Sequence, residues 1–112
     1  MTPLDDLPRL VSIECDSKLT LATLGLPPRT REGLLAYIRW GIPPGSFLQA
    51  LLSNDLLEAC RRADPDNRAH LFDFVFVLDN YAPMGAYGSR AHVRAWIERG
   101  ALLRRQTMEA NA

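Results

Sequence analysis

Residues 41–83, GIPPGSFLQALLSNDLLEACRRADPDNRAHLFDFVFVLDNYAP, decide the fold of this 112-residue chain. Apolar residues recur in this stretch at helical spacing, and capping residues, glycines and prolines separate the apolar segments. Ser46 can cap a helix that we expect to reach Ala63, and Asp64 can cap the next helix. The proline after Asp64 occupies the first-turn position that proline tolerates best, and Pro83 ends this second helix. The stretch therefore predicts a mainly all-α protein.

The second of these helices carries apolar side chains on nearly every face. One face holds the apolar residues that recur at helical spacing, namely Leu71, Phe74, Val75, Leu78 and Ala82. Other faces hold Phe72, Phe76 and Val77. A helix of this kind is expected to lie at the centre of a bundle. A buried strand from Leu71 to Leu78 is the alternative, because β-branched and aromatic residues crowd there.

Two further helices are predicted on either side of this stretch. Thr30 can cap a helix over 31–40, which Gly41 and the two prolines that follow would stop. Ser89 can cap a last helix, which we expect to close near Gly100. Together with the two central helices, these segments predict a compact bundle of about four short helices.

The chain divides into three predicted parts: an N-terminal arm or hairpin over 1–26, a helical domain over 27–103 and a C-terminal tail over 104–112. Apolar and polar residues alternate over 11–15 and again over 19–21, on both sides of a turn-forming Asp-Ser pair. This alternation predicts a β-hairpin, and a loosely ordered arm is the alternative. The tail is expected to be either frayed or an extension of the last helix.

The charged residues balance in number but not in position. The chain has 13 basic and 13 acidic residues, and all but one of the basic residues are arginine. Residues 1–26 carry a net charge of −2 and residues 88–112 a net charge of +3, so the two ends could attract each other. Zero net charge makes binding to nucleic acid unlikely as a function, because the electrostatic term that dominates such binding is small.

Composition and the N-terminus indicate a globular protein of the cytoplasm. Hydrophobic residues make up 47% and charged residues 23%, which is typical of globular domains and not of disordered chains. No apolar run approaches the length of a membrane span, and the N-terminus MTPLDDLPRL does not have the pattern of a secretory signal.

Because so short a helical domain buries little apolar surface, we expect a homo-oligomer, most simply a dimer.

The pattern of motifs resembles a group of small phage-encoded and prophage-encoded proteins. It consists of GIPPGSFLQALLSNDLLEACRRAD at 41–64, NRAHL at 67–71, NYAPMGAYGS at 80–89 and VRAWI at 93–97. The similarity covers about residues 28–98. This resemblance implies a helical accessory protein of a mobile element, and such proteins commonly act by stoichiometric binding. It brings no catalytic residues to this sequence.

Three consecutive polar residues interrupt the helix predicted after Ser46. Ser53, Asn54 and Asp55 favour helix caps over helix interiors, and such a local conflict often marks a binding site. The alternative is that the helix breaks here and Asp55 caps a new one, with Glu58 at its third position as in a capping box.

A second polar cluster lies at the next helix junction, and its candidate binding residues are Arg62, Asp64, Asn67 and Arg68. Arginine offers a planar set of donors suited to carboxylate or phosphate, and Asp and Asn can read the edge of a base. The cluster is therefore a candidate site for a small anionic or nucleotide-like ligand. A solvated junction, in which Asp64 caps and the arginines pair locally, is the alternative.

The Gly-Ser pairs at 45–46 and 88–89 each precede a predicted helix N-terminus, where free backbone NH groups favour an anion. Ser89 and the adjacent Arg90 would form one phosphate-sized site with the first pair if the two helix starts converge. Ordinary serine capping is the alternative. Tyr87, near Tyr81 and Met84, could instead form an exposed aromatic contact with a protein partner.

The sequence carries no complete catalytic or metal-binding signature. His70 and His92 stand far apart with no carboxylate at a metal-ligand spacing, and Cys15 and Cys60 are expected to be reduced thiols. We therefore expect no catalytic residue, no metal and no cofactor.

Three functions are compatible with these observations. The first is a non-enzymatic phage or prophage accessory protein that inhibits a host protein or complex, in counter-defence or host takeover. The second is sequestration of a small anionic or nucleotide signalling ligand. The third is a small DNA-binding regulator, whose arginine-bearing last helix would enter a groove.

Overall fold

The computed structural model describes residues 8–110, and this part of the chain is all-α, with seven α-helices and no strand. The helices are α1 (Ile13–Ala22), α2 (Pro28–Trp40), α3 (Ser46–Leu52), α4 (Leu56–Arg62), α5 (Pro65–Ala69), α6 (Leu71–Tyr81) and α7 (Arg90–Ala110). A single 3₁₀ turn, Met84–Ala86, connects α6 to α7. The all-α prediction is confirmed, whereas the prediction of about four helices is wrong.

The predicted N-terminal β-hairpin is also wrong, because its residues form helix α1. The Ser12 side chain accepts a hydrogen bond from the Cys15 backbone NH at 3.1 Å and so caps the helix. Glu14 and Asp16 lie in the first turn, where the helix dipole favours negative charge. A helix also brings Leu19 into the core, where it is 1% exposed. The acidic residues at 5–6 that were part of the predicted arm lie outside the described residues.

The extra helices arise from two breaks in the predicted central helices. Asn54 adopts a left-handed backbone conformation with φ of 64°, which ends the helix expected to reach Ala63. Asp55 then accepts a hydrogen bond from the Glu58 backbone NH at 3.3 Å and caps α4, as the alternative interpretation predicted. The second break is at His70, which separates α5 from α6.

Helix α2 begins, and helix α7 ends, at a different residue from the one predicted, whereas the other end of each helix is as predicted. Helix α2 starts at Pro28, and Thr30 is not its cap, because the Thr30 hydroxyl instead donates to Asn67 Oδ1 at 2.8 Å. The predicted stop at Gly41 is confirmed, with a left-handed φ of 70°. Helix α7 does not close near Gly100 but continues to Ala110, so the described part of the tail is a helix extension.

The core is organised around Tyr37 and Phe74, the two largest side chains that are fully buried. The Tyr37 hydroxyl donates to the Ala86 carbonyl at 2.6 Å, and the Tyr37 carbonyl accepts from Trp96 Nε1 at 2.9 Å. Burial raises the pKa of Tyr37 above its ordinary value of 10.0, so the hydroxyl stays a donor. Phe74 packs edge-on against Phe47, with ring centroids 5.3 Å apart. These contacts fix α2, α3, α6 and α7 relative to one another.

Helices α2 and α7 meet through a close backbone contact between two glycines. A Cβ atom on Gly100 would meet the Trp40 carbonyl oxygen and lie 2.8 Å from the Gly41 Cα. Arg104, one turn further along α7, donates to the same Trp40 carbonyl. The glycines therefore set the distance between the two helices. No helix within residues 8–110 combines the length and apolar character needed to cross a lipid bilayer.

Candidate functional site

Helix α6 has one buried face and one exposed apolar face. Phe74 and Leu78 of the predicted face point into the core, together with Val77, which was predicted on another face. Val75, which was predicted on the same face as Phe74, is exposed instead. Phe72 and Phe76, however, are 78% and 51% exposed. The prediction of a central helix is therefore wrong, because α6 lies at the surface of the described fold and leaves Phe72 and Phe76 exposed.

The exposed face of α6 forms one wall of an open groove with a volume of about 490 Å³, which we call the α6 groove. Its lining residues come from α3, α4 and α6, from the break between α3 and α4, and from the segment before α7. They are Leu51, Asn54, Leu56, Phe72, Val75, Phe76, Leu78, Asp79, Asn80, Tyr87 and Gly88. The volume lies within the range of roughly 300–1,000 Å³ that is typical of ligand sites. Apolar and aromatic side chains predominate in it.

Asp79 carries the one carboxyl group in the lining of the α6 groove, which includes no Lys, Arg or His. It lies in the exposed part of α6, and none of the ion pairs among residues 8–110 involves it. Two amides complete the polar lining. The Asn80 amide donates to the Phe76 carbonyl at 2.8 Å, whereas Asn54 lines the groove at the break between α3 and α4. The groove is therefore an apolar surface with one free carboxylate.

A backbone hydrogen bond closes one end of the α6 groove. The Gly88 NH donates to the Leu52 carbonyl at 2.8 Å, which joins the end of α3 to the segment before α7. Gly88 has a φ of 122°, a conformation that residues with side chains rarely adopt. Beside this bond, Arg90 Nη2 lies 2.9 Å from Asp55 Oδ2. The structure thus brings the two sequence segments 53–55 and 87–90 together.

Of the single site that one interpretation of the sequence required at the two Gly-Ser helix starts, only Ser46 and Arg90 come together. Ser46 and Arg90 line the same shallow depression, together with Arg62, Asp55 and Glu58. Arg62 Nε is 2.7 Å from Glu58 Oε1, and Arg90 pairs with Asp55. Hydrogen bonds from Arg62 and Arg61 lower the pKa of Glu58, which keeps this carboxylate charged. Both arginines in the depression are therefore neutralised by acids of the same chain.

The polar cluster at the α4–α5 junction is occupied by contacts within the chain. Asp64 accepts from the Asn67 backbone NH at 2.8 Å, which confirms the predicted cap. Asn67 is buried and its side-chain oxygen accepts from Thr30, while Arg68 donates to the Ala63 carbonyl at 3.2 Å. These residues stabilise the junction and do not line the α6 groove.

Three predicted site residues remain, namely Ser53, Tyr87 and Ser89. Ser89 accepts from the His92 backbone NH at 3.1 Å and so caps α7, as predicted, while Ser53 lines a separate depression beside Arg90. Tyr87 is half-buried in the α6 groove, whereas Met84 is 83% exposed. Among the described residues, no three His, Cys, Asp or Glu side chains gather in a way that could hold a metal ion.

An ionic cluster that the sequence did not reveal fixes α1 to α2. Asp16 Oδ2 lies 2.7 Å from Arg9 Nε, and Asp16 Oδ1 lies 2.8 Å from Arg39 Nε. Both guanidinium groups also lie over the Trp40 ring, at 5.7 and 5.8 Å from its centroid. Nearby, burial raises the pKa of the Cys15 thiol, and the charge of Asp16 raises it further. Cys15 is therefore protonated at neutral pH and is a poor nucleophile.

Apart from Asn54, Tyr87 and Gly88, sequence reasoning missed the residues of the groove, namely Leu51, Leu56, Phe72, Val75, Phe76, Leu78, Asp79 and Asn80. A signal for them was present, because Phe72, Val75, Phe76 and Asp79 recur at helical spacing as a second stripe on α6. Comparison with protein-family models, with curated proteins and with solved structures finds no match for this chain.

Proposed function

We propose that this protein acts by stoichiometric, non-enzymatic binding of a bacterial host protein, and that the α6 groove is its binding surface. The observation that carries the proposal is the exposure of Phe72 and Phe76 beside a formed cavity. Exposed apolar patches rimmed by polar residues mark interaction sites, and aromatic side chains supply much of the binding energy in protein interfaces. The resemblance to phage and prophage accessory proteins supplies the setting, which is counter-defence or host takeover.

The charges of the described surface favour a protein partner over the alternative of a small anionic ligand. The α6 groove carries a free carboxylate, Asp79, which would repel an anion. In the depression beside it, Arg62 and Arg90 already pair with Glu58 and Asp55. An anion bound there would have to displace these internal partners. The apolar groove therefore provides a better basis for binding than the arginines do.

The proposal is tested by affinity capture from a lysate of the host bacterium, with three forms of the protein. The wild-type chain is compared with the double variant Phe72→Ser/Phe76→Ser and with Met108→Ser. Met108 is 69% exposed on α7 and does not line the α6 groove, so it is a matched control for loss of an exposed apolar side chain. Native mass spectrometry gives the stoichiometry of the captured complex.

We expect a one-to-one complex that survives Met108→Ser and is lost with the double variant. Because both phenylalanines are exposed, their replacement should leave the thermal unfolding midpoint close to that of the wild type. A complex that persists in the folded double variant would overturn the proposed surface. Failure to capture any protein at saturating concentration would overturn the proposed function.

A further inference from the structure

We infer that the partner segment bound in the α6 groove is an amphipathic α-helix that carries a basic residue at one end of its apolar stripe. This inference rests on the proposed function and specifies the chemistry of the partner. Its basis is the combination of an apolar helical wall, aromatic faces and a single unpaired carboxylate at one end of that wall.

The length and pattern of the wall match a short helix. The exposed side chains of α6 run from Phe72 to Asp79, which spans about 10 Å at 1.5 Å per residue, or two helical turns. Apolar anchors at positions i, i+3 or i+4, and i+7 of a partner helix would lie along this wall. Leu56 and Tyr87, which come from other segments of the chain, also line the groove and are available to contact the anchors.

The position of the Asp79 charge determines the direction in which the partner helix lies along the groove. Asp79 lies toward the C-terminal end of α6, and Phe72 lies toward its N-terminal end. A Lys or Arg of the partner can therefore pair with Asp79 only when it lies at the matching end of the apolar stripe. Binding would bury this pair partly beside Phe76, whose ring face attracts a cation.

The test uses fluorescein-labelled 14-residue helical peptides with Leu and Phe anchors at helical spacing. Four peptides carry Arg at the N-terminal end, Arg at the C-terminal end, Gln at both ends or Glu at both ends. Fluorescence anisotropy measures their binding to the full chain. We expect one of the two Arg peptides to bind about three- to fivefold more tightly than the Gln peptide, because a rim ion pair contributes about that factor.

Two variants separate an ion pair with Asp79 from a general effect of charge. Asp79→Asn should remove the preference for Arg while leaving binding of the Gln peptide unchanged. Asp73→Asn is the matched control, because Asp73 is an exposed acid on the same helix that does not line the groove, and it should keep the preference. Equal binding of Arg and Glu peptides, or equal loss of preference in both variants, would overturn the inference.

The outcomes also distinguish this inference from the proposed function. Peptides that bind without any charge preference would overturn the basic helix as the occupant and leave host capture by the groove intact. Sedimentation tests a second copy of the chain as the occupant. A dimer that Phe76→Ser dissociates would show that the groove is a self-association surface, and this result would overturn the inference.

Discussion

At the scale of single residues, two glycines and one asparagine allow left-handed backbone conformations and a close contact between two helices. Gly41 ends α2 in a left-handed conformation, and Gly100 lets the α7 backbone approach the end of α2. Asn54, with its φ of 64°, ends α3 and allows Asp55 to start α4. Asparagine tolerates this conformation better than most residues with a side chain. Of these three positions, only the break at Asn54 lies in the lining of the α6 groove.

Substitution of Gly100 tests the close contact between α2 and α7. A methyl group there would meet the Trp40 carbonyl, so Gly100→Ala should destabilise the fold by about 1–3 kcal/mol. Gly33→Ala is the control, since a methyl group at Gly33 would have a Leu48 side-chain carbon as its nearest neighbour, at 3.6 Å. That change should stabilise α2 by about 0.5–1 kcal/mol. Urea unfolding measures both, and a Gly100→Ala protein as stable as the wild type would contradict the described contact.

At the scale of helices, caps and breaks divide the central sequence into short elements. Asp55 and Asp64 each cap a helix through a side-chain oxygen, and this capping can be recognised in the sequence. Helix α6 is different, because its outward aromatic residues Phe72 and Phe76 stay largely exposed. Short capped helices therefore form the scaffold, and one apolar helix face stays exposed.

The two roles of Asp55, as a cap and as the partner of Arg90, can be separated by two substitutions. Asp55→Asn keeps a capping oxygen and loses only an exposed ion pair, so we expect a loss of less than about 0.5 kcal/mol. Asp55→Ala also loses the cap and should cost about 1–2 kcal/mol. Chemical unfolding monitored by circular dichroism measures the difference. Equal losses in both variants would mean that the ion pair, and not the cap, provides the stability.

At the scale of the whole molecule, the ion pairs of the described residues do not join the acidic first segment of the sequence to its basic last segment. Asp16 pairs with Arg9 and Arg39, and Arg90 pairs with Asp55 in the middle of the chain. Within residues 8–110, no ion pair joins the acidic first segment to the basic last segment. The predicted dimer and the predicted attraction between the two ends stay predictions.

The Asp16 cluster should contribute measurably to global stability because its carboxylate is largely shielded from water. Asp16→Asn removes the charge that holds two guanidinium groups and should cost about 1–3 kcal/mol. Glu14→Gln on the same helix is the control, because its pair with Lys18 is exposed and should contribute less than about 0.5 kcal/mol. Equal stability of the two variants in urea would show that Asp16 does not fix α1 to α2.

The sequence by itself determined the all-α class, the stop at Gly41 and the caps at Asp64 and Ser89, and it offered the Asp55 cap as an alternative. Each of these depends on interactions within a few residues, so local residue types suffice to predict them. The tertiary structure alone decided that Phe72 and Phe76 face outward and that Arg90 reaches Asp55, 35 residues away. Helix α1, in place of the apparent hairpin, has both local and tertiary causes: the Ser12 cap and acidic first turn are local, and the burial of Leu19 and the ionic contacts of Asp16 are tertiary. Which apolar face is buried depends on the packing of all elements together, and no local pattern contains that information.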